Sequence, residues 1–309
     1  MANTVLYSLR HLPVVTKSAV LATLSLSLTV LIAQLYQHPT PVSGQDDAPT
    51  RDALLTIETV KSYLVLYPGL ILTRPWTLVL TGWIETNALL LLSYLVILTL
   101  VGTYLEKRWG WLEFAKFIAV VNLTAVASTF LIYVFIFAGS RNIGYLYDVC
   151  INGQFGLVSG FTVALKQSIP EHRVTLYHPM LSFRVKYLTL IYATVVGIVL
   201  LLTRSYPYLY LLIAGTFASW LYLRFVKDHN GVQGDYSDAF TFATFFPDWV
   251  QPPIAWVAGH VFHLFVVLRL LRPLPAYQPL AVGSQDAATA PEIVVDVMDD
   301  EDPDAKRRK

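Results

Sequence analysis

The chain of 309 residues is 55% hydrophobic and only 14% charged, with a formal net charge of +1. A soluble domain carries about 25% charged residues, so most of this chain belongs where charge is costly, at about 2.5–3.5 kcal/mol per ionised residue at a bilayer centre. The balanced charge leaves no basic excess for nucleic acid, and the single cysteine, Cys150, excludes an internal disulfide and is expected as a small buried apolar residue.

Six stretches approach the roughly 20 apolar residues needed to cross hydrocarbon: 15–35, 84–105, 114–138, 152–168, 187–203 and 208–226. The first run, Val14 to Tyr36, is too long for a signal-peptide core and lacks a small-residue cleavage site directly after it, so it is expected to be retained as a span. Between spans one and two, a polar, turn-rich stretch gives way to an amphipathic run from Ala53 to Val65, which predicts an interfacial helix. The fourth span is short and rich in small residues (Gly153, Gly156, Ser159, Gly160, Ala164), the composition of a central helix approached closely by its neighbours. Asn122, Thr124, Ser128, Asn152 and Gln154 are expected to bond between helices rather than to line a transport path.

Lys and Arg fall mainly on one side if the N-terminus is cytosolic (Arg10, Lys17, Lys107, Arg108, Lys116, Lys166, Arg184, Lys186, Arg224 and Lys227 among them), so both termini are expected in the cytosol. After span six, Gly234–Asp235 and Ser237–Asp238 offer a turn and an N-cap for an aromatic segment with Phe240, Phe242, Phe245 and Phe246. Asp235, Asp238, Phe245 and Phe246 are candidate partner-binding residues; packing onto the protein's own helices is the other reading. An apolar run from Ile254 to Leu268 reads as a helix on or re-entering the cytosolic leaflet, with a seventh span as the alternative. Its His260 and His263 share a face but lack a third ligand, so no metal or cofactor is expected. From Pro273 a disordered tail carries an acidic cluster and a basic end, Lys306 to Lys309, which suits either a retrieval signal or attraction to anionic lipid. The domains expected are thus a cytosolic N-terminus (1–13), a membrane domain (14–228), an aromatic and membrane-associated segment (229–272) and the tail (273–309).

The segment 75–114 holds Trp76 near the surface, a Thr–Gly–Trp entry into span two, and Glu106, Trp109 and Gly110 at its exit. Together with Gly153–Gln154–Phe155–Gly156 and Gly160 on span four, it resembles the rhomboid superfamily. An active rhomboid needs a serine between those first two glycines and a histidine on span six, because a hydroxyl attacks only when a neighbour takes its proton. Here the matching positions are Phe155 and Thr216, so the resemblance implies a pseudoprotease. An enzyme would require Ser159 with His260 or His263 as base; a serine hydrogen-bonded at a helix-packing surface is the plainer reading. Lys166–Gln167 closes span four ahead of Pro170. The strings 160–172, 219–227 and 234–248 tighten the resemblance to the transmembrane protein 115 family of rhomboid-like Golgi membrane proteins. That resemblance implies an all-α membrane protein with a six-helix rhomboid-like bundle, an interfacial C-terminal helix and a disordered tail. It implies a non-proteolytic role in Golgi-to-endoplasmic-reticulum retrograde traffic through tethering or coat machinery. Membrane lipid and other membrane proteins are the expected partners, and a homo-oligomer is compatible with the sequence. A derlin-like quality-control role and an endoplasmic reticulum location are the alternatives.

Overall fold

In the computed structural model of the chain, residues 12–35, 61–170, 172–175, 182–229, 232–235, 237, 240–247 and 249–267 are described. The amphipathic run before residue 61, Asp238, the tail and the His263 side chain lie outside them. The protein is an all-α membrane protein. Its long helices are α1 (Val14–Leu35), α2 (Ala88–Trp109), α3 (Trp111–Ser140), α4 (Phe155–Ser168), α5 (Leu188–Leu202), α6 (Tyr206–Leu221) and α7 (Gln251–Val267). A wide π turn, Tyr222–Val226, prolongs α6. Among the described residues five helices (α1, α2, α3, α5 and α6, the last two counted with their flanking turns) are long and apolar enough to cross a membrane.

The fourth stretch, 152–168, behaves differently. With 14 residues α4 is about 21 Å long, short of the roughly 30 Å of hydrocarbon. It is tolerated because it is buried: Gly156 through Ala164 are all shielded, packed against α6, α3, α5 and α2. The glycines make this possible. A Cβ on Gly215 of α6 would overlap the backbone of Gly156, so the two helices cross backbone to backbone. The α2–α3 connection is equally tight, since Gly110, at φ 87°, is the only residue between them.

Two buried glutamates of the α2 region hold neighbouring helix starts. Glu106 accepts from the Val15 and Thr16 amides (2.9 and 2.7 Å) and from the Thr16 hydroxyl (2.7 Å), satisfying orphan donors at the N-terminus of α1. At the other end, Glu85 accepts from the Gln154 amide (2.7 Å), the residue that caps α4. Span two begins at Ala88 rather than 84 because Ile84 is extended and Asn87 caps the helix, its side chain accepting from the Leu89 amide. The stretch 66–83 forms short helical turns wedged beside α3, where Trp76 stacks on Tyr63 and donates to its carbonyl (3.0 Å).

Past α6 the chain folds back over the end of the bundle. Arg224 donates to the carbonyls of Asp235 (2.6 Å) and Ser237 (2.7 Å), and Lys166 to the carbonyl of Thr244 (2.7 Å) with its ammonium over the Phe245 ring. Phe240 and Phe245 are buried in the main core cluster. Two small antiparallel strand pairs also appear on this end, Arg173–Thr175 with Ser182–Arg184 and Asp228–His229 with Val232–Gln233, additions to an otherwise all-α fold.

These contacts make three outcomes expected. Glu106→Ala strands three buried donors and should cost on the order of 3 kcal/mol, read as a lowered thermal transition in detergent; Thr16→Val should cost about 1 kcal/mol. Gly215→Ala should destabilise by about 1–3 kcal/mol or more, whereas Gly139→Ala, which meets open space, should be silent. Lys166→Met should raise hydrogen exchange across 240–246 by releasing contacts worth roughly 2 kcal/mol, with the transmembrane helices unchanged.

Candidate functional site

The rhomboid resemblance puts the expected nucleophile position at the start of α4. Gly153, at φ 103°, turns the chain into the helix, and Phe155 is its first residue. The Phe155 ring packs on Tyr208 at 5.1 Å, and the Tyr208 hydroxyl donates to the Asn152 side-chain Oδ1 at 3.4 Å. Thr216 donates to the carbonyl of Leu212 one turn earlier on its own helix (2.8 Å). A phenyl ring cannot attack and a threonine cannot take a proton near neutral pH, so these two positions supply no acyl transfer. Ser159 is wholly buried, its hydroxyl 2.8 Å from the carbonyl of Gly156 and 3.1 Å from that of Leu212. His260 lies on α7, which packs on the Phe242–Phe245 turn, and its ring contacts Trp256. No group of three metal-ligating side chains occurs among the described residues.

Beside Phe155 a cavity of about 190 Å³ opens between α2 and α5, floored by α4 and lined by Tyr94, Val158, Tyr192 and Val196. Its polar end is Glu85, 2% exposed. One carboxylate oxygen is used by the Gln154 amide; the other has no partner among the described residues, and neither do the Gln154 side-chain carbonyl and the Tyr94 hydroxyl. Buried acceptors without donors are costly, and concentrated at the end of an apolar slot they suit a guest that brings hydrogen-bond donors on an apolar body. Sequence reasoning passed over Glu85 as a site residue. The signal was present: an ionisable residue at the mouth of a long apolar run is rarely incidental.

The remaining sequence-derived residues form two groups. Glu106, Trp109 and Gly110 build the α2–α3 corner, with Trp109 edge-on to Phe117 at 5.3 Å and the Lys227 ammonium 3.5 Å from its ring centroid. Gly153, Gly156 and Gly160 serve close approach, Gly160 facing Val121 and Ser219. Trp76 stays half-exposed in the loop before α2. Lys166, Gln167, Asp235, Phe245 and Phe246 meet at the opposite end of the bundle. Gln167 donates to the Asp235 carboxylate (2.9 Å), Phe245 is buried and Phe246 packs on the same cluster, so here these residues are engaged with the protein's own helices. Burial works against the charge of Asp235, yet the bonds from Gln167 and Ser237 and the nearby Arg224 outweigh it and hold the carboxyl below its ordinary value. Cys150 sits in the loop before α4, where burial pushes its thiol up and makes it a poor nucleophile.

Comparison with known proteins places this architecture. Residues 17–309 match the family described as eukaryotic integral membrane protein (DUF1751). Transmembrane protein 115 of Mus musculus and of Homo sapiens are each 31% identical over 242 residues, covering 76% of this chain. Rhomboid-like protein 19 of Arabidopsis thaliana is 33% identical over 204 residues, 65% of each chain. This chain spans 64% of the length of the two animal proteins. No solved structure matches it. With residues 17–309 matched, nearly its whole length, the chain belongs to the eukaryotic integral membrane protein family DUF1751.

Proposed function

We propose that the protein is a non-catalytic rhomboid-like membrane scaffold of the early secretory pathway, acting in Golgi-to-endoplasmic-reticulum retrograde traffic. The observation that carries this reading is the Phe155 cavity, an intramembrane pocket that keeps buried polar acceptors but holds a phenyl ring and a helix-bonded threonine where a nucleophile and base would stand. Such a pocket binds without reacting. The names of the relatives, transmembrane protein 115 and rhomboid-like protein 19, fit the scaffold, and the Golgi assignment rests on the family resemblance.

Orientation follows from charge. Lys107, Arg108, Lys116, Lys166, Lys186, Arg224 and Lys227 gather at the Glu106 end, against Lys61, Arg74, Arg141 and Arg204 at the Glu85 end. The richer end is the cytosolic one, so the pocket faces the lumen and both termini the cytosol. The folded-back segment ending at Phe246 then forms the cytosolic cap from which the tail reaches tethering or coat machinery.

A fluorophosphonate probe should leave the chain unlabelled, and Phe155→Ser should remain unlabelled because Thr216 offers no base; labelling lost on Ser159→Ala would sink the scaffold reading. Proximity labelling from the C-terminus in cells should mark cytosolic Golgi tethers and coat subunits. Marking of luminal proteins would reverse the orientation, and enrichment of degradation ATPases alone would favour a quality-control role.

A further inference from the structure

A second cavity lies at the other end of the molecule, away from Phe155. It measures about 450 Å³ and is lined by Arg108 and Trp109 from the end of α2, Glu113 from the start of α3, Gln167 and Ser168 from the end of α4, and Lys227 with Asp228 past α6. Three helix ends thus converge on one polar hollow at the level where the apolar spans stop.

The polar groups in it are unequally used. Glu113 is engaged on both oxygens, with Lys116 at 2.7 Å and the Tyr222 hydroxyl at 3.4 Å. Asp228, which also lines the hollow, is exposed and has interactions of its own. One acceptor, the Gln167 side-chain carbonyl, and two donors are unspent. The Lys227 ammonium is 3% exposed, faces the Trp109 ring, and has no hydrogen-bond partner among the described residues; the Ser168 hydroxyl has none either. Arg108 is exposed at the rim, with no ion pair among the described residues. A buried lysine without an acceptor is expensive, so its retention beside a second cation and a free hydroxyl marks a place for an anion supplied from outside.

We propose that this hollow binds a phosphate monoester, held by Lys227 and Ser168 from within and by Arg108 at the rim. Two cations and a hydroxyl match a dianion better than the single charge of a phosphodiester. The hollow opens where headgroups lie, so the phosphate belongs either to a lipid headgroup or to a soluble phosphomonoester. Burial, helped by the neighbouring Arg108 and opposed by Glu113 and Asp235, pushes the Lys227 ammonium down to about 7. A bound dianion restores that charge, so binding takes up a proton and weakens as the pH rises above 7.

The full chain, purified in detergent, is offered equal phosphatidic acid and phosphatidylcholine, and retained lipid is counted by native mass spectrometry. A parallel arm measures binding of radiolabelled inorganic phosphate to the chain in phosphatidylcholine nanodiscs. Preferential retention of phosphatidic acid supports the lipid source, and phosphate binding alone supports the soluble one. In either arm Lys227→Gln, Arg108→Gln and Ser168→Ala should each weaken binding, the two cation variants by about tenfold, and wild-type binding should fall as the pH is raised past 7. Arg108 is exposed, so its variant keeps the test valid if Lys227→Gln fails to fold. Equal retention of the two lipids with no phosphate binding overturns the proposal, as does binding unchanged in the Arg108 and Ser168 variants.

Discussion

In a bilayer the first donors of a helix have no water to turn to, so each must be met by the protein itself. Here α2 carries that duty at both ends. Glu106 closes the start of α1 and Glu85 the start of α4, two helices whose first amides would otherwise be left bare inside the bundle. Because α1 runs antiparallel to α2 while α4 runs parallel to it, the α2 region fixes the registers of two others from its opposite ends. The glycine contacts then set how deeply α4 may sink: its 14 residues are admissible only while α6 crosses it at backbone distance and excludes lipid from its ends.

Much of this was written into the chain in a readable form. Apolar runs long enough to span and the small-residue face of α4 announce themselves by composition and spacing, and the rhomboid resemblance singled out Glu106, Trp109 and Gly110. The chemistry of Phe155 was equally legible, since a residue type either can or cannot be a nucleophile, though its matching to a nucleophile position rests on the resemblance. The partners of the glutamates were hidden, because Glu106 and Thr16 are 90 positions apart and Glu85 and Gln154 are 69 apart. Periodicity reports which face a residue occupies on its own helix, and is silent about which foreign helix start will arrive there.

The aromatic segment after α6 illustrates the same division. Its density of phenylalanine marked it as sticky but left open what it would stick to. The answer depended on cations from two other helices, Lys166 and Arg224, whose hydrogen bonds to backbone carbonyls draw the segment onto the bundle end. A charged side chain seeking a carbonyl is invisible to hydropathy, and it decides whether an exposed hydrophobic stretch becomes a surface or a core.

Helix α5 has only Thr189 and Leu200 fully buried, one near each end, while Val195, Ile198 and Val199 between them face outward. Its inner side carries Tyr192, which packs on the main core cluster and with Val196 lines the Phe155 cavity, so α5 is a wall of the slot with an open outer face. A wall with that outer face turned to lipid ties the slot to the bilayer around it, so membrane thickness, to which spanning helices adjust by tilting, would act on the pocket as a mechanical setting.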